Sequence, residues 1–378
     1  MIRLLTVIGA RPQIIKAAAI SRAIKEHFSG SITESILHTG QHYDSNMSQV
    51  FFDELGIPKP DFNLGVGSGP HGEQTAKMIS GIEQVLKSNH FDGVILYGDT
   101  NSTLAGAVAA AKLGVPVFHI EAGLRSYNMS MPEEQNRIVC DHLSSILFAP
   151  TQTAIDNLAK EGLIDSPAVF PNGKGRKVIN SGDVMYDNCL HFEPIAEHKS
   201  DILQEHRLSE KSFVLATIHR PANTDSPERL TSIFRALLEL GATVVLPLHP
   251  RTAKLLPQNL DAKTYQEVMG SGRVKIIPPA SFFDIMVLEK NASVVITDSG
   301  GVQKEAFFLE TPSIILREET EWVEIIQHGA GILADASYDR ILQAYRQLSG
   351  NEVHFPKLFG AGDASSTILS SIASYLTI

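Results

Sequence analysis

Short apolar runs alternate with stretches in which apolar positions recur every three or four residues, along nearly the whole chain. The run RLLTVIG (3–9) predicts a strand. PQIIKAAAISRAIKEHF (12–28) predicts a helix, with Pro12 in the first turn, where its missing N–H is tolerated. ESILHTG (34–40) is a strand, followed by a helical stretch through Phe51 and Phe52. GEQTAKMISGIEQVLKS (72–88) is a helix, and FDGVILYGD (91–99) a strand with a helix from Ser102. VPVFHIEAG (115–123) and SILFAP (145–150) are strands on either side of the helix PEEQNRIVCDHLS (132–144). TQTAIDNLAKEG (151–162) is a helix with a Thr cap and a Gly stop. The strands are apolar on both faces, as in a parallel sheet covered by helices.

The alternation then restarts. KVINSGD (177–183) is a short strand, and the polar stretch 191–212 reads as a connection. Strands follow at 213–219, 242–250, 273–279, 292–299 and 312–318, with helices between, and a last helix covers 364–378. The fold class predicted is α/β, with two Rossmann-like doubly wound domains, 1–182 and 183–363.

Composition narrows the function. The chain has 378 residues, enough for two domains, and a formal net charge of -10. That charge argues against nucleic acid or an anionic membrane as partner. Cys140 and Cys189 sit in no C-x-x-C and read as reduced structural thiols of a cytoplasmic protein. The longest small-apolar stretch is broken by Lys112, Gly114 and Pro116, so no membrane span is expected.

In such sheets ligands bind beyond the carboxyl ends of strands. GARPQIIK places Arg11 and Lys16 there, either as an anion site or as solvated cations. No G-x-G-x-x-G follows the first strand and no P-loop occurs, so neither nicotinamide nor ATP is indicated. YGDT places Asp99, HIEAGLRS places Glu121 and Arg125, and MPEEQNR places Glu133, Glu134 and Arg137. Asp99 and Glu133 could merely cap helices. Three carboxylates at strand ends also suit general acid–base work, because crowding and burial raise their pKa. TIHRP and LHPR add His219, Arg220, His249 and Arg251. HTGQH carries His38 and His42 without an evident third ligand, so no metal is expected. In TDSGGVQKEAFF, Ser299 is a plausible helix cap, and Gly300 and Gly301 bare the amides of the helix start for a phosphate. Glu305, further along that helix, could accept from ribose hydroxyls.

GARPQIIK, TGQH, YGDTNSTLAGA, HIEAGLRS, MPEEQNR, GDVMYD, LPLHPR, TDSGGVQKEA and TEW, in that order, resemble the UDP-N-acetylglucosamine 2-epimerase family over essentially the whole chain. The resemblance implies a GT-B-like fold with the two domains facing a cleft, the last helix packing back on the first domain, and a homodimer. It implies a UDP-sugar substrate and inversion at C2 by elimination and re-addition of UDP, without cofactor, in precursor synthesis for surface polysaccharide. It assigns acid–base roles to Asp99, Glu121 and Glu133 and an active-site role to His219. Arg11, Lys16, Arg137, Arg220, His249, Ser299, Gly300, Gly301 and Glu305 become substrate or UDP contacts. Gln41, His42, Arg125, Lys304 and Arg317 are candidates for contacts with the sugar or with a second, activating UDP-sugar. GARPQ, QKE and ETEWVE are similar to the branch acting on UDP-2,3-diacetamido-2,3-dideoxyglucuronate, an extra acetamido group and a carboxylate calling for different partners at such positions. A hydrolysing epimerase and a GT-B glycosyltransferase are the alternatives.

Overall fold

The computed structural model describes residues 1–41, 55–167, 170 and 173–377. His42 and the helical stretch read through Phe51 and Phe52 lie outside them. The chain divides into two compact units, Met1–Asn188 with Lys357–Ile378, and Cys189–Pro356.

The first unit holds seven parallel strands: β1 (Ile2–Ile8), β2 (Ile32–His38), β3 (Phe62–Asn63), β4 (Gly93–Tyr97), β5 (Val117–Ile120), β6 (Ile146–Ala149) and β7 (Lys177–Asn180). Their spatial order is β3-β2-β1-β4-β5-β6-β7. Leu5, Val7, Val94 and Leu96 are buried and pack with Met78, Ile82, Ala105 and Ala109 of the covering helices, which is why the strands read as unbroken apolar runs. The last helix, Ala364–Thr377, belongs to this unit and packs on the helix Arg11–Ala23. Asp187 caps its start, accepting from the amides of Ala364 (3.1 Å) and Ser365 (2.8 Å) and from the Ser365 hydroxyl (2.6 Å).

The second unit holds six parallel strands: β8 (Phe213–Thr217), β9 (Thr243–Pro247), β10 (Val274–Ile277), β11 (Val294–Thr297), β12 (Ser313–Ile315) and β13 (Gly331–Leu333). Their order is β10-β9-β8-β11-β12-β13. Both sheets reverse direction of growth once, between β1 and β4 and between β8 and β11.

The polar stretch from residue 191 is not a connection. The helix Val184–Lys199 runs into it and a short helix, Ile202–Glu205, follows. Cys189, Phe192 and Ala196 are buried on that helix at spacings of three and four, and Phe192 meets Phe282 edge-on at 5.5 Å. A narrow apolar stripe on a charged segment is enough to hold a helix to its unit.

Candidate active site

In the first unit the reversal point lies between β1 and β4, and it is beyond the carboxyl ends of the strands at such a point that ligands of open α/β sheets bind. The sequence candidates converge there. Lys16, from the helix after β1, pairs with Glu121, just past β5. Arg137 pairs with Asp99, past β4, and with Glu134 at 2.8 Å. Gly98, at φ +60°, leaves room for the Lys16–Glu121 pair: a Cβ there would stand 3.2 Å from Lys16 Nζ and 3.3 Å from Glu121 Oε2. Asp99 does not cap the following helix, because Thr100 does, accepting from the Thr103 amide.

The environment biases the two carboxylates differently. Glu121 is 8% exposed and Asp99 30%. Burial raises the pKa of Asp99, and neighbouring Glu121 adds to this; Arg137 and Lys16 oppose it without cancelling it. Glu121 has φ +74°, a conformation rare outside glycine and found where a side chain must be aimed.

Three neighbours serve this geometry from inside the unit. Gln13 is buried; it accepts from the Gly9 amide (2.8 Å) and donates to the Tyr97 carbonyl (2.9 Å), joining the loops after β1 and β4. Gln41 is buried too, accepting from the amide (3.0 Å) and hydroxyl (2.7 Å) of Ser102. Arg125 is turned inward onto Asp141 and Glu161, at 2.7 Å each. Gln41 and Arg125, candidates for contacts with the sugar or an effector, make these bonds to partners within the unit. Arg11 is exposed at the start of its helix. Glu133 is exposed in the first turn of the helix Pro132–Leu143, whereas Glu134 beside it is buried and accepts from the Ser126 and Tyr127 amides, at 3.0 and 2.9 Å.

In the second unit, candidates gather around the reversal between β8 and β11. Asp298, at the end of β11, is fully buried. It accepts from the amides of His219 (3.1 Å) and Arg220 (3.0 Å) and from the Asn223 side chain (3.1 Å), and lies 3.2 Å from His219 Nδ1. That fixes the His219 ring, which stays 43% exposed. His249, after β9, stands 6.2 Å from it between ring centres. Ser299 caps the helix Gly300–Phe308, accepting from the Val302 amide. Gly301 is exposed, and a Cβ there would meet only Ser299 Oγ, at 3.9 Å. Gly300 is crowded, since its Cβ would come within 2.8 Å of Glu321 Oε1. Glu305 is half-buried. Lys304 is buried with its ammonium 4.1 Å from the Trp322 ring centre, and Arg317 is buried 3.0 Å from Glu321. Both side chains are buried against the segment Glu321–Trp322.

Sequence reasoning named Glu134 beside Glu133 as a candidate carboxylate and overlooked the anchors Asp298, His119 and Asp141. A signal existed for Asp141. Glu134, Arg137 and Asp141 recur at spacings of three and four, a charged stripe on the buried face of one helix. Among the described residues no three His, Cys, Asp or Glu side chains are grouped to hold a metal, and no helix is long and apolar enough to cross a membrane.

The family model described as UDP-N-acetylglucosamine 2-epimerase matches residues 23–373. UDP-2,3-diacetamido-2,3-dideoxy-D-glucuronate 2-epimerase of Pseudomonas aeruginosa is 47% identical, with 98% of this chain and 99% of that protein covered. A UDP-N-acetylglucosamine 2-epimerase homolog of Methanococcus maripaludis is 43% identical over 97% of this chain and 98% of its own. The crystal structure of Methanocaldococcus jannaschii UDP-GlcNAc 2-epimerase in complex with UDP-GlcNAc and UDP superposes with a TM-score of 0.85 at 37% identity, covering 99% of this chain and all of that one. The architecture, two parallel α/β sheets, is GT-B-like. The chain belongs to the UDP-N-acetylglucosamine 2-epimerase family and is an isomerase, a UDP-sugar 2-epimerase.

Proposed function

We propose that the substrate is UDP-2,3-diacetamido-2,3-dideoxyglucuronate and the product its C2 epimer, the mannuronate, with UDP retained on the sugar at equilibrium. Full-length similarity to the Pseudomonas aeruginosa enzyme carries the substrate choice. The paired carboxylates of the first unit support the chemistry.

A carboxylate takes the C2 proton. The C–H electrons form the C1=C2 bond while the C1–O electrons leave with UDP. Addition of UDP to C1 then returns electrons to C2, which is protonated on the opposite face. Two faces need two proton carriers, and Asp99, Glu121 and Glu133 are the candidates. Burial raises the pKa of Asp99, which favours its taking up a proton during the cycle. The amides of the Gly300 helix, with Ser299, would take the diphosphate, and Glu305 the ribose, with His219, Arg220 and His249 beside them. Arg11 and Lys16 would meet the diphosphate or sugar.

The test is turnover of the diacetamido-glucuronate nucleotide beside UDP-N-acetylglucosamine, followed by proton NMR in deuterium oxide. A UDP-linked epimer with deuterium at C2, formed faster from the former, is expected. Faster turnover of UDP-N-acetylglucosamine would move the chain to that substrate. Release of free sugar would make it a hydrolysing enzyme, and absence of deuterium would reject the elimination.

A further inference from the structure

We propose that His119 and Asp141 are positioning residues that lock the Asp99 and Glu121 loops in register, with His119 held as an imidazolium. The proposal deepens the epimerase reading and rests on it for its kinetic test. His119 lies in β5, two residues before Glu121, and is fully buried. Its Nε2 donates to the Gly98 carbonyl at 2.7 Å, one residue before Asp99. A carbonyl oxygen can only accept, so this nitrogen carries a hydrogen. Its Nδ1 lies 2.7 Å from Asp141 Oδ1. The other oxygen of Asp141 is ion-paired with Arg125 at 2.7 Å, which keeps the carboxylate charged and accepting. Both ring nitrogens therefore donate, and the ring is charged.

Asp141 grips the chain on both sides of Glu121. It holds His119 before it, and after it the Gly123 amide (3.2 Å) and Arg125, which in turn clamps both oxygens of Glu161 at 2.7 Å. Glu121 between these holds has φ +74°, a backbone state that relaxes unless its surroundings impose it. His119 ties that same loop to the Asp99 loop through Gly98. Burial alone would discharge the ring; Cys140 and Asp141 outweigh it, and the pKa lies well above the usual histidine range. Neither side chain reaches solvent, so neither is offered to substrate.

Two measurements on the full-length protein test this. Histidine ring ¹⁵N spectra of the resting protein, from neutral to mildly alkaline pH and assigned with His119→Gln, should show both His119 nitrogens protonated throughout; a neutral ring at neutral pH overturns the charged assignment. In kinetics with the UDP-sugar that the wild type turns over, folded His119→Gln should lose roughly 100-fold in kcat with KM nearly unchanged, the size expected for misplacing a catalytic group by about an ångström. Asp141→Asn, which keeps shape and loses charge, should do the same and serves if His119→Gln does not fold. A folded variant of either kind with kcat near the wild-type value overturns the proposal. If the wild type turns over no UDP-sugar, the substrate reading falls, and the ring spectrum still decides the state of His119.

Discussion

A glutamate in the left-handed region strains the chain by about 1–2 kcal/mol, so Glu121 has to be held there by its neighbours. The same logic of one residue set by another appears in the second unit. Glu289, in the helix Phe282–Asn291, is buried, and burial together with Glu305 raises its pKa far above the ordinary glutamate range. The folded protein thus favours the protonated form of Glu289 more than the unfolded chain does. Stability from this residue is full below the ordinary glutamate pKa and falls as pH rises towards the folded value. Glu289→Gln keeps the shape and needs no proton. Denaturation of both proteins between mildly acidic and alkaline pH should show the variant gaining on the wild type by up to about 1.4 kcal/mol per pH unit within that window. Curves that stay parallel would show that Glu289 is charged in the native state.

At the scale of the element, the turn from β11 into the helix Gly300–Phe308 separates two glycines with different duties. A side chain at Gly300 would require the Glu321 carboxylate to shift, since a Cβ there comes within 2.8 Å of its Oε1. Gly301 has room, so the fold gives no reason for its glycine. A phosphate approaching the amides of the helix start gives one. Gly301→Ala should melt close to the wild type while its affinity for UDP, by calorimetry, falls roughly tenfold, equivalent to about 1.4 kcal/mol. Unchanged affinity in a folded variant would remove this turn from the diphosphate site. The turn itself was legible in the sequence, since a strand, a Ser cap and paired glycines are local signals. The inward aim of Lys304 was not, because it depends on Trp322, eighteen positions later in the chain.

At the scale of the molecule, each unit is a separate parallel sheet with one reversal point, and the candidate residues of each collect at its own reversal. The proposed acid–base groups belong to the first unit and the helix-start amides to the second. Hydrogen exchange with and without saturating UDP should therefore slow exchange in 218–223 and 297–302. The seven-stranded sheet should change little. Protection confined to the loops after β4 and β5 would reverse the assignment of the nucleotide. UDP at about a hundred times its dissociation constant should also raise the stability of the unit that binds it by about 2.7 kcal/mol.

Sequence by itself determined the alternation of strand and helix, the doubling of the doubly wound plan and the strand ends where chemistry collects. Those are set by local periodicity and by residues within a turn of one another. The helix through 184–199 was harder, because a narrow apolar stripe had to outweigh a charged surface. Tertiary structure alone decided which polar residues face inward. Gln41, Arg125 and Lys304 look like ligand contacts in a string of letters, and each is buried on a partner beyond its own element. It also decided that Asp298 aims His219 and that Asp141 grips the loop around Glu121. A buried polar side chain must find its partners across the fold, and no local pattern says where those partners will be.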